Sequence, residues 1–155
     1  MWFAKPGLRR PVAISSRQRL SGSAANADVA SANYYNEYDI QSSEEGDFNG
    51  TVCWVLELKA RSNLVSYPSI KYWISKDKQF GLQAEFYGKS GKLIKVAHFK
   101  YDNTFAYEGK DHGFVSEVII FDKINEADKT TLVIDNIRLK NYNNSKFQKG
   151  RLLDE

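Results

Sequence analysis

"TVCWVLELKA" (51–60) is the stretch on which the fold turns. Trp54, Leu56, Leu58 and Ala60 fall on one side of an extended chain, and Glu57 and Lys59 on the other. A period of two marks a half-buried strand, because successive side chains leave a pleated backbone on opposite faces. Further along, "SIKYWISK" (69–76) sets Ile70, Tyr72 and Ile74 against Lys71 and Trp73, and "LQAEFY" (82–87) sets Leu82, Ala84 and Phe86 against Gln83 and Glu85. The run "GKLIKVAHFKY" (91–101) opposes Ile94 and Val96 to Leu93, Ala97 and Phe99, so both of its faces are expected to be covered. "TTLVIDNIRL" (130–139) has the β-branched density of a long strand.

The punctuation between these runs is that of hairpins. "DFNG" (47–50) ends in Asn-Gly, the pair that tolerates positive φ in a tight turn. "KSGK" (89–92) and "NEADK" (125–129) each separate two strand-like runs. Only "NADVASANYY" (26–35) reads as helix, with Asn26 or Asp28 as N-cap, and a short helical turn is expected near "SKFQKGRLL" (145–153). The expected fold is mostly β: about seven antiparallel strands joined in sequence, with one or two short helices. A sheet of this extent must curl or close to hide its apolar face. Glu57, Lys59, Lys71 and Glu85 punctuate the outward face, which excludes an outer-membrane barrel.

Composition narrows the function classes. With 155 residues, 42% of them hydrophobic and 14% aromatic, the chain reads as one folded domain over 1–155 and not as a disordered segment. No apolar run approaches the ~20 residues of a spanning helix. No 7–15-residue apolar leader opens the chain either, so the signal of an exported precursor is expected upstream of Met1. Cys53, the single cysteine, lies inside a strand and reads as a small buried hydrophobe. The net charge of +3 is segregated. Residues 1–20 carry Lys5, Arg9, Arg10, Arg17 and Arg19 with no acid, and residues 21–58 carry seven acids with no base. Such blocks attract anionic partners or form a solvated sheet edge.

Chemistry has little foothold. His98 sits in a strand and His112 in the loop-like "GKDHGF" (109–114), with no Cys/His cluster at metal-ligand spacing. Asp111-His112 is half of a catalytic pair at most, and "GKSGK" (88–92) lacks P-loop spacing. The aromatics beside bases in "KYWISK" and "HFKY" alternate as a buried face does, which argues against nucleic acid. No cofactor, metal or catalytic residue is expected.

Taken together, "PGLRRPVAISSRQRLSG" with "NADVA", then "NEYD", "CWVLELKA", "YPSIKYWISK", "LQAEFYGKSGKLIKVAHF" and "SKFQKGRLL" resemble the outer-membrane lipoprotein-sorting protein family, the LolA/LolB-like periplasmic carriers. The resemblance implies a non-enzymatic periplasmic protein with an antiparallel half-barrel closed by helices over a hydrophobic cavity. It also implies acyl chains of lipids or lipoproteins as cargo and an inner-membrane lipid exporter as partner. The family's export signal, first helix and first strands precede the segment that matches "MWFAKPGLRR" (1–10), so the chain is expected to be the C-terminal part of the domain. An unpaired edge at residues 2–5 would then favour an edge-strand homodimer.

Two site expectations follow. Trp54, Leu56, Leu58, Tyr72, Ile74, Leu82, Ala84 and Phe86 are the candidates for a lipid cavity on the concave face. Arg9, Arg10, Arg17 and Arg19 are the candidates for docking a partner, the alternative reading being an interaction module accessory to the exporter.

Overall fold

The structure is a computed structural model and describes residues 2–5, 7–30 and 33–151. Four strands open the chain: β1 (Trp2–Phe3), β2 (Val12–Ala13), β3 (Arg19–Ser21) and β4 (Ala24–Ala25). They form two small antiparallel ribbons, β1 with β2 and β3 with β4. Two short helices follow, α1 (Asn26–Ala30) and α2 (Tyr34–Glu37). The rest is β5 (Tyr38–Phe48), β6 (Thr51–Ala60), β7 (Ser69–Ser75), β8 (Gly81–Tyr87), β9 (Leu93–Lys100), β10 (Asn103–Tyr107), β11 (Lys110–Phe114), β12 (Glu117–Asp122) and β13 (Lys129–Val133). Two 3-10 segments, Asn144–Phe147 and Lys149–Arg151, supply the helical turn expected near the C-terminus.

One antiparallel sheet organises the molecule, in the order β13-β12-β9-β8-β7-β6-β5. It is the expected meander of seven strands, mostly β and not closed. The Asn49-Gly50 turn joins β5 to β6 with φ of 52° and 83°, and the Asp47 carboxylate accepts the Gly50 N–H at 2.9 Å. Positive φ at both central residues matches the right-handed twist of the flanking strands.

Three expectations need correction. The helix read over 26–35 is instead the pair α1 and α2, and Asn33 caps the second by accepting the Asn36 N–H at 3.2 Å. Asn26 is already helical, and its side chain donates to the Ser15 carbonyl. The long strand read over 130–139 stops at Val133, opposite Glu117, the first residue of β12. Beyond it Ile134 donates to the Ser116 carbonyl at 2.9 Å and accepts from the Asn103 side chain instead of extending the ladder. The loop-like stretch around His112 is β11, half of a hairpin that leaves the main sheet between β9 and β12.

Cross-strand pairs show which side chains share a face. Leu58 faces Ile70 and Ile70 faces Phe86, while Tyr72 faces Ala84, Ala84 faces Ala97 and Ala97 faces Ile120. This face carries the main core: Leu58, Ile70, Ala84, Phe86, Ala97 and Ile120 are all at most 5% exposed. The α1–α2 segment lies over it as a lid, with Ala27 and Tyr38 in the same cluster.

The opposite face is buried as well, at one corner. Cys53, Val55 and Val96 are buried there, so Val96 and Ala97 are covered on opposite sides of β9 as "GKLIKVAHFKY" led one to expect. Phe48 of β5 touches His98 of β9 at 5.4 Å between ring centroids, and His98 touches Phe121 at 5.1 Å. On a flat sheet β5 and β9 would lie about 19 Å apart, four strand spacings. The Phe48 corner therefore folds over the His98 face, which is the curvature of a strongly twisted sheet.

Candidate functional site

A cavity of ≈ 430 Å³ lies between the lid and the sheet. The sheet supplies Tyr38, Phe86, Ala97, Phe99, Val118 and Ile120, and the lid supplies Ala27, Asp28 and Tyr34. Residues 64–67, in the connection between β6 and β7, form the third wall. The floor is apolar because strand parity sends Phe86 of β8, Ala97 and Phe99 of β9, and Val118 and Ile120 of β12 to one side.

The polar groups of the wall are tied together. Lys95 enters from β9 on the lid face and donates to Asp28 Oδ2 at 2.9 Å and to Tyr67 Oη at 3.1 Å. Tyr67 Oη donates to Asp28 Oδ1 at 2.6 Å, and the Ala25 N–H donates to Asp28 Oδ2 at 2.7 Å. Asp28 and Lys95 side chains are only 6% and 14% exposed, so each charge has exchanged water for these partners. One carboxylate thus links the lid, the β6–β7 connection and the sheet.

Tyrosines complete the rim. Tyr38 Oη donates to the Tyr67 carbonyl at 2.9 Å. The Tyr34 ring stands edge-on to Tyr38 at 5.7 Å and to Tyr72 at 5.2 Å. Burial pushes the hydroxyls of Tyr34, Tyr38, Tyr67 and Tyr72 well above the ordinary phenol range, and for Tyr67 the neighbouring Asp28 charge pushes in the same direction. All four are neutral donors near pH 7. Gly81 permits this crowding, since a Cβ there would collide with the Tyr72 side chain.

The residues singled out from the sequence share the lid face but divide along it. Phe86 is in the cavity wall, Leu58 and Ala84 lie in the core, and Leu56 and Tyr72 pack against that core half-buried. Trp54, Ile74 and Leu82 lie toward the opposite ends of β6, β7 and β8, outside the cavity wall. Trp54 is 47% exposed, with Lys76 Nζ 3.7 Å above its ring. The alternation that grouped Trp54 with Leu58 is right in parity, but the folded-over corner buries Cys53 and Val55 there instead. Asp28, Tyr67 and Lys95 were not singled out. The one signal for Lys95 is its parity with Leu93, Ala97 and Phe99, which puts an ammonium on an apolar face.

Of the basic strip, Arg9, Arg10, Arg17 and Arg19 are all exposed, and among the described residues none meets a carboxylate. Arg17 acts locally. Its guanidinium donates to the Asn63 and Val65 carbonyls at 2.9 and 2.8 Å, bracing the β6–β7 connection that walls the cavity. Among the described residues no cluster of His, Cys, Asp or Glu is suited to a metal ion, and no helix is long and apolar enough to cross a membrane.

A protein-family model described as "Uncharacterized protein" matches residues 1–154. The chain belongs to that family. No curated protein matches the sequence. Among solved structures, the fold superposes on a LolA superfamily protein from Nitrosomonas europaea with a TM-score of 0.77 and 27% identity, covering 96% of this chain and 66% of that one. An outer membrane lipoprotein-sorting protein domain from Vibrio parahaemolyticus gives a TM-score of 0.76 at 24% identity, covering 97% and 64% of the two chains. A DUF1329 family protein from Desulfovibrio piger gives 0.70 at 22%, covering 97% and 63%. The family therefore has a LolA-like fold, and this chain spans just under two thirds of the length of these relatives.

Proposed function

We propose that this chain is a periplasmic, non-enzymatic carrier that holds an acyl chain of a lipid or lipoprotein between lid and sheet, for sorting to the outer membrane. The observation that carries the reading is the apolar cavity of ≈ 430 Å³ in a LolA-like fold. At ~30 Å³ for a water-sized group such as a methylene, that space takes about 14 groups, one acyl chain and not several. Burying each methylene contributes about 0.8 kcal/mol before the cost of ordering the chain. The neutral Tyr34 hydroxyl in the cavity wall suits an ester or amide at the head of such a chain, the protons of Tyr38 and Tyr67 being already donated within the protein.

The test is titration of delipidated protein with a fluorescent fatty-acyl probe, with native mass spectrometry for stoichiometry. Saturable binding of one probe, weakened by Ala97→Trp in the cavity floor, is the expected result. Absence of saturable binding would overturn the reading.

A second reading is favoured by the exposed, acid-free strip of Arg9, Arg10 and Arg19: an accessory module that docks on an inner-membrane lipid exporter. Binding through the strip should weaken with salt and with neutralisation of these arginines. Acyl binding in the cavity should respond to neither.

A further inference from the structure

We propose that the β10–β11 hairpin is a finger that inserts into the surface of a neutral lipid bilayer. The hairpin is well made, with a two-residue turn at Glu108 and Gly109 whose φ values are 49° and 75°. Its pairing puts Asn103, Phe105, Tyr107, Lys110, His112 and Phe114 on one side. On the other side Gly113 rests against the Phe80 ring, where an added Cβ would come within 2.5 Å, and Phe80 stacks on Tyr101 at 4.2 Å. Thr104, Ala106, Asp111 and Gly113 are nonetheless exposed, so the hairpin stands clear of the body on this side. On the aromatic side the base is anchored, with Asn103 and Phe105 half-buried and the Asn103 amide donating to the Val115 and Ile134 carbonyls, and the remaining residues are left outward. There Phe105 stacks on His112 at 5.5 Å and meets Phe114 at 6.0 Å, and Tyr107 and Phe114 are 53% and 39% exposed.

Area and charge identify the occupant. Two five-residue strands present about 160 Å² of face. A stable protein interface needs roughly 800 Å² per partner, so this side is too small to hold a second copy or another protein. A bilayer surface needs only a few amphipathic rings, and Tyr, Phe and a snorkelling Lys are the residues that settle at the headgroup level. Glu108, Lys110 and Asp111 leave the hairpin with no positive excess, so anionic headgroups are not what it recognises. The base of the hairpin follows Phe99 and precedes Val118 by four residues each, both of them in the cavity wall.

The test uses the full chain with Tyr107→Cys carrying an environment-sensitive thiol dye. Cys53 is fully buried, so labelling falls on the introduced thiol. A matched Lys89→Cys label on the exposed β8–β9 turn is the control. Phosphatidylcholine vesicles should blue-shift the dye at 107 and shield it from an aqueous quencher, with no change at 89. Phe114→Ser in the labelled protein should lower the vesicle partition coefficient about tenfold, the loss expected for one buried aromatic. Four results would overturn the proposal: no shift at 107; equal shifts at 107 and 89; a shift only with anionic lipid and abolished by salt; or a shift that grows with protein concentration without vesicles. The acyl-probe titration, run on the same labelled protein, reports the cavity separately.

Discussion

The two faces of the sheet are buried by different means. On the lid face a carboxylate, an ammonium and a phenol are sealed between α1, the β6–β7 connection and β9. On the opposite face the Phe48 corner closes over a histidine that meets the Gln83 side chain at 2.9 Å between two aromatic rings. The first arrangement is charged and multiply satisfied, and the second is close to neutral and apolar. Buried charges are strong only as a complete set, whereas an aromatic pocket tolerates small losses but resists a new charge.

The difference is broken most severely at Lys95. Lys95→Ala strands the Asp28 carboxylate in a dry site, and the expected loss is about 3–5 kcal/mol in urea unfolding. A Lys95→Met, Asp28→Leu pair should recover much of it, since an apolar pair leaves no orphan charge. Gly81→Ala comes next. Its Cβ would occupy the place of the Tyr72 hydroxyl, and displacing that ring should cost about 1–3 kcal/mol. The same variant should alter acyl-probe affinity, because Tyr72 supports Tyr34 at the rim. Ile120→Val, at a position 2% exposed in the cavity floor, should cost only about 0.5–1.5 kcal/mol while enlarging the cavity by one methylene.

The smallest effect lies on the other face and depends on pH. Burial, aided by Lys123, lowers the His98 pKa below its ordinary value near 6.5. The unfolded chain then binds more protons than the folded one as the pH falls through 6.5, so stability declines on acidification and levels off below the folded pKa. Unfolding midpoints between pH 7.5 and 5 should show this slope, and His98→Asn should flatten it. An unchanged slope in that variant would erase the contrast between the faces.

Much of the fold was legible because strand parity is strict. The pairing of Leu58 with Ile70, and of Tyr72 with Ala84, realises alternations visible in "TVCWVLELKA", "SIKYWISK" and "LQAEFY". What alternation lacks is curvature. It cannot tell that β6 is covered on one side at Val55 and on the other at Leu58, which is why Trp54 lies in solvent. The candidate site was less legible. Lys95 and Asp28 are 67 residues apart, and their contact is set by where the lid lands. β11 was hidden by a Glu-Gly turn, whose first residue gives no warning of positive φ.

The outer edge of the sheet has a consequence for life in a crowded compartment. Among the described residues no strand pairs with the far side of β5, which leaves eleven residues of backbone open to templated growth by other chains. Asp39, Glu44, Glu45 and Asp47 line this strand without a single base within it. Asp39, Glu44 and Glu45 are held by Arg61, Lys71 and Lys76 of their own chain, so two copies approaching edge to edge would have to crowd or break these ion pairs before any backbone hydrogen bond could form. The strand most exposed to fibril-like stacking thus carries its own deterrent, and removing those charges would turn a guarded edge into a seed.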